Sequence, residues 1–106
     1  MKGKFYLGFS GYEVGARAES GKIYKGAIGF QIIGRYEGNK IYFGPIGFNV
    51  IARLDGNKIY SGPIGFNVIA RIEGQKVYKG PIGFTILGRG SNCSGIGLAA
   101  AAILTL

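Results

Sequence analysis

Five lysines and five arginines recur in register, at Lys4, Lys22, Lys40, Lys58 and Lys76 and at Arg17, Arg35, Arg53, Arg71 and Arg89. Two residues after each Lys stands a Tyr, at 6, 24, 42, 60 and 78. Guanidinium groups beside aromatic rings suit contact with phosphates and stacking on planar ligands. If the fold gathers these columns, Arg35, Arg53, Arg71 and Arg89 with Lys22, Lys40, Lys58 and Lys76 form a candidate anion-binding belt. The net charge of +8, from 13 basic and 5 acidic residues, favours loose attraction to anionic polymers or membrane surfaces. A structural use competes. Arg can satisfy backbone carbonyls or pair with the acid two residues on, as Arg53 with Asp55, and Lys at a strand end discourages edge pairing. These residue types favour the structural use, with weak, salt-sensitive polyanion binding as the alternative.

Other chemistry finds little support. The chain has no His, so the commonest general base is missing and no Cys/His zinc cluster can form. Cys93, the single cysteine, sits in Ser-Asn-Cys-Ser with no base nearby in sequence. Glu19, Glu37, Asp55 and Glu73 recur at one place in the repeat, where acids commonly serve turn geometry and solvation. Gly-x-x-Gly, as in Gly62-Pro63-Ile64-Gly65, lacks the Gly-Lys-Ser/Thr ending of a phosphate loop. The reading therefore names no catalytic residue, no metal ligand and no cofactor. The aromatic columns at 12, 30, 48, 66 and 84 and at 6, 24, 42, 60 and 78 are expected to build the core, with an aromatic carbohydrate site as a minor alternative.

The residues belong to five copies of an 18-residue unit, K-[IVF]-Y-x-G-x-x-G-[FY]-x-[VI]-x-[GA]-R, running from Lys4 to Arg89. Each unit carries two turn signals. One is the acidic-Gly tip, as in Glu37-Gly38-Asn39; the other is Gly-Pro-Ile-Gly at 44–47, 62–65 and 80–83. Between them lie β-branched and aromatic runs such as Phe48–Arg53 and Lys58–Tyr60. The spacing predicts hairpins turning near residues 20, 38, 56 and 74. Early units depart from the pattern: Glu19-Ser20-Gly21 moves the tip Gly, Phe9-Ser10 and Ala27-Ile28 replace Pro-Ile, and Gly15 replaces Ile or Leu. Such departures are expected where terminal repeats cap an array. Phe30, Ile32 and Ile33 occupy both parities of one run, which predicts apolar cover on both faces and hence hairpins arranged about an axis. The one-in-six pattern of a left-handed β-helix is not met, and the tips favour hairpins over the corners of a solenoid.

At 106 residues the chain is expected to form one domain over residues 1–106, with repeats at about 4–89. A polar linker follows Arg89. Residues 96–106, IGLAAAAILTL, then read as a buried apolar helix with Ser94 as N-cap. The segment is too short to span a bilayer, which needs about 20 residues. The N-terminus carries no secretory h-region, and the lone Cys fits a reducing, cytoplasmic compartment.

With its Gly-bearing tips and five K-[IVF]-Y-x-G…R units over Lys4–Arg89, the chain resembles the bacterial five-fold β-flower proteins. The resemblance implies an all-β fold of short hairpins set like petals about a pseudo-five-fold axis. It carries no functional residue across. The sequence reading is thus a non-enzymatic structural or interaction module. Its alternative is a weak binder of anionic polymers or membrane surfaces through the Lys/Arg belts. Self-association is allowed; neither a specific nucleic acid nor a transmembrane segment is expected.

Overall fold

A computed structural model describes residues 2–8, 12–93 and 95–106. Ten antiparallel strands close into a barrel, with one helix inside. The strands are β1 (Lys2–Leu7), β2 (Val14–Glu19), β3 (Lys22–Lys25), β4 (Ile32–Glu37), β5 (Lys40–Phe43), β6 (Val50–Asp55), β7 (Lys58–Ser61), β8 (Val68–Glu73), β9 (Lys76–Lys79) and β10 (Ile86–Ser91). Each pairs with its neighbours in sequence, and β1 pairs with β10 to close the ring. Ten strands make five hairpins, so the units are related by rotation about a common axis. Closure removes every sheet edge.

Four hairpins turn where the sequence places them, at residues 20–21, 38–39, 56–57 and 74–75. Gly38 has φ +62° while Asn39 does not enter the positive region, as in the type II′ turn that matches strand twist. The fifth hairpin joins the two ends of the repeat array, β1 to β10, and has no tip of its own. There the chain turns inward: Asn92 takes φ +54°, and Cys93 is buried. Burial raises the Cys93 thiol pKa to about 11. Gln75 stands where the two preceding units carry Asn39 and Asn57. With its amide oriented to satisfy both groups, it donates to the carbonyls of Cys93 (2.7 Å) and Gly90 (3.1 Å), pinning this entry.

The helix α1 (Gly95–Leu104) fills the barrel and packs against β1 to β6, β9 and β10. It enters beside Gly90 and leaves beside Ile33, so it runs from the tip end to the opposite, loop end. Its length of about 15 Å fits the short dimension of the 34 × 33 × 20 Å disc. Leu98 and Ala99–Ala102 are buried against Ile23, Ile41, Ile59, Val77 and Phe5 on the inner wall. Small wall residues at one repeat position, Ala16, Gly34, Ala52, Ala70 and Gly88, make room for the plug. Thr105 closes the helix by donating from Oγ1 to the Ala101 carbonyl (2.8 Å). Ser94, read as its N-cap, and the Phe9-Ser10 departure lie outside the described residues.

Three expectations change. The double parity of Ile32 and Ile33 comes from a β-bulge, since Tyr24 pairs with Ile32 and Ile23 with Gly34. Ile33 is the extra residue and packs against the core, while Phe30 is not in a strand at all. The same bulge recurs at Ile51, Ile69 and Leu87. Gly15 is not a cap device either, because a closed ring has no end to cap. A Cβ at Gly15 would lie 2.6 Å from Cδ2 of Leu7, whose side chain already occupies the space that Ile or Leu fills elsewhere. The core, finally, is an Ile–Ala assembly with Phe5, and both aromatic columns lie outside it: the one at 12, 30, 48, 66 and 84 is exposed, and the tyrosines at 6, 24, 42, 60 and 78 are half-buried beside the arginines.

Candidate functional site: an apolar crown clamped by arginines

The loops between β3 and β4, β5 and β6, β7 and β8, and β9 and β10 all leave the barrel at one end, because the strands run alternately up and down. Gly8 and Glu13, which follow β1 and precede β2, lie at the same end. Each full loop reads Gly-x-Ile-Gly-Phe. Phe30, Phe48, Phe66 and Phe84 are 87–89% exposed, and Ile28, Ile46, Ile64 and Ile82 are 84–88% exposed. Tyr12 takes the Phe place in the first unit, at 85%. Leu106, 71% exposed, emerges at the same end. The result is a crown of large apolar side chains in water, of the kind that marks an interaction surface.

The crown is held in shape from below. Arg53 donates from Nη1 to the Gly62 carbonyl (3.3 Å) and from Nη2 to the Gly65 carbonyl. Arg17, Arg35 and Arg71 clamp Gly26 and Gly29, Gly44 and Gly47, and Gly80 and Gly83 in the same way. Gly62 and Gly65 have φ +74° and +107°, which a residue with Cβ adopts only under strain. With these turns the two carbonyls face one guanidinium fork. Each Arg also stacks on a Tyr, 4.9–5.3 Å from guanidinium carbon to ring centroid for Arg17, Arg35, Arg53 and Arg71. The Tyr60 and Tyr78 rings in turn meet Phe66 and Phe84 edge-on, at 6.5 and 6.4 Å. Arg89 lies over Tyr6 and Tyr12, at 5.0 and 5.4 Å from guanidinium carbon to ring centroid.

The residues of the expected belt occupy different environments. Lys22, Lys40, Lys58 and Lys76 are exposed on the outer wall, whereas Arg35, Arg53, Arg71 and Arg89 are half-buried beneath the loops. Register makes them direct neighbours: Lys22 opposite Arg35, Lys40 opposite Arg53, Lys58 opposite Arg71, and Lys76 opposite Arg89. Across the tip each Lys also faces an acid, for example Lys40 opposite Glu37. Among the described residues Arg71 is the one that reaches the acid two residues on, with Nε 3.6 Å from Glu73; Arg89 has Ser91 at that place. Among the described residues, no three Cys, Asp or Glu side chains gather as a metal site. A shallow cavity of about 390 Å³ beside Leu106 holds one carboxylate, Glu13, and one amine, Lys25.

Of the two structural uses the sequence offered for the Arg column, carbonyl contacts hold for Arg17, Arg35, Arg53 and Arg71, and the crown was missed. A signal was present. Ile46 lies between two glycines and Phe48 directly after the second, and a strand does not run through such a pair.

The geometry defines a class: a closed antiparallel barrel of hairpin repeats, plugged by its own C-terminal helix and crowned at one end. Residues 5–90 match the family described as 6-fold beta flower protein, and the chain belongs to that family. The family description counts six; this chain closes its ring with five hairpins. No curated protein and no solved structure matches. Among the described residues no helix is long and apolar enough to cross a membrane.

The clamp makes a direct prediction. Arg53→Met removes the fork and should cost about 1–3 kcal/mol while speeding amide exchange in loop 62–67. Arg53→Lys keeps the charge but cannot span both carbonyls, so it should loosen the loop nearly as much. Wild-type exchange in the Lys variant would show that charge, and not the fork, holds the crown.

Proposed function

We propose that the protein is a non-enzymatic interaction module whose working face is the crowned end of the barrel. One observation carries this reading: large apolar side chains exposed at 84–89% are displayed on loops whose carbonyls are clamped by arginines. A chain that merely tolerated exposed Phe would not need a two-carbonyl clamp under each of the four Phe-bearing loops. The interior offers no competing site, since α1 fills it. The residue types speak against catalysis, with no His in the chain and a single carboxylate at the loop-end cavity. The test is site-specific photocrosslinking in cells. A photoreactive residue replacing Phe66 should give abundant adducts, and the same group replacing Asn57 at the tip end should give few. Equal yields, or none at Phe66, would overturn the reading.

A second reading rests on the register. Lys–Arg neighbours repeat around the wall, and like charges opposite one another are unfavourable unless an anion lies between them. This supports weak polyanion binding by the exposed lysines. It is the lesser reading because each Lys of the set also faces an acid and the Arg forks are already engaged.

A further inference from the structure

Resting on the reading that the crown is the working face, we propose that its partner is an anionic lipid bilayer, into whose headgroup layer the loops insert. Three features of the crown point there. The first is its symmetry. Like contacts stand around a disc 34 × 33 Å across, so a matching partner must present the same chemistry at every point of a ring. A peptide or a single helix would meet one or two loops and leave the rest in water. A bilayer surface is laterally uniform and meets them all.

The second is charge. Directly behind the apolar tips lie the four clamping arginines, and Lys25 and Lys79 stand at strand ends where the chain enters a loop. Glu13 is the one acid named at this end. A second copy docked crown to crown would set cation against cation. Anionic headgroups complement the same ring, and apolar tips backed by basic residues are the arrangement of proteins lying in the interface.

The third is the loop backbone. Groups entering a poorly hydrated layer must already have partners. In the third loop Gly44 donates to the Ile33 carbonyl, the carbonyls of Gly44 and Gly47 accept from Arg35, and Pro45 has no N–H. The clamp that shapes the loop thus satisfies two of its carbonyls before transfer from water, leaving the tip N–H groups of Ile46, Gly47 and Phe48 to face headgroup oxygens.

The experiment uses the full chain and vesicles of phosphatidylcholine, alone or with about a third replaced by phosphatidylserine. The chain has no Trp, so Phe66→Trp supplies a single reporter. Its emission should shift to the blue on anionic vesicles and stay unchanged with pure phosphatidylcholine. Sedimentation should show roughly tenfold tighter binding to the anionic vesicles, and the variant F30S/F48S/F66S/F84S should lose on the order of 100-fold. That variant removes side chains already in water, and an unchanged Tm verifies its fold. Binding that survives the four substitutions with no blue shift overturns the proposal in favour of the lysine wall. Crown-dependent dimers without vesicle binding overturn it in favour of a second copy. No vesicle binding, with Phe66 adducts in cells confined to protein, overturns the lipid assignment and leaves the crown as the working face.

Discussion

Ending the chain at residue 94 is expected to abolish cooperative folding. The lost segment contains Leu98 and Ile103 and four buried alanines, all packed inside the ring. Burying one large apolar side chain contributes roughly 1.5–3 kcal/mol, and the loss is doubled in effect because Ile23, Ile41, Ile59, Val77 and Phe5 lose their cover on the inner wall. A domain of this size has a total stability of only about 5–15 kcal/mol. A hollow ten-strand ring has no second way to bury its lining. The shortened protein should bind a hydrophobic dye and show no sharp thermal transition. Leu98→Ala tests the same packing without shortening the chain and should cost about 2–5 kcal/mol. A truncated protein melting within a few degrees of the full chain would mean that the wall alone is the folding unit.

The fold was legible where local chemistry and global arrangement agree. The tip Gly at residue 38, the β-branched runs and the constant 18-residue period each demand hairpins, and a rotational array follows from their equal spacing. The alanine-rich tail could be read as a buried helix because its residues are small, apolar and helix-favouring. The wall was harder to read. Alternation fails at Ile32-Ile33, and a bulge and a two-faced strand leave the same mark in sequence; only the register separates them. The crown was misread for a different reason. Hydrophobicity alone assigns Phe48 and Phe66 to a core, and it is the positive-φ glycines beside them that turn them outward. Lys40 and Arg53 lie 13 positions apart in the sequence, and their pairing appears only once the loop and bulge between β5 and β6 fix the register.

The β1–β10 pair that closes the ring offers the sharpest test of how it is packed. Three units set Ala beside the plug at 16, 52 and 70; the units ending in Arg35 and Arg89 set Gly there, at 34 and 88. At Gly88 a Cβ would run into the Phe5 ring and the Tyr6 carbonyl. Phe5 is also the odd member of its own set, larger than Ile23, Ile41, Ile59 and Val77, and it is 1% exposed. The two departures compensate each other: a larger side chain on β1 requires a smaller one on β10. Gly88→Ala alone should cost about 1–3 kcal/mol through overpacking. Phe5→Ile alone should also destabilise, by opening space where the ring edge was. Together they restore the Ile-with-Ala combination seen at Ile41 and Ala52, and the double variant should be more stable than the two separate losses imply, by about 0.5–3 kcal/mol. Recovery should stop short of wild type, since the Tyr6 carbonyl still crowds the new methyl group. Strictly additive losses in thermal or denaturant unfolding would mean that β1 and β10 adjust independently, and that the closing seam is looser than the rest of the ring.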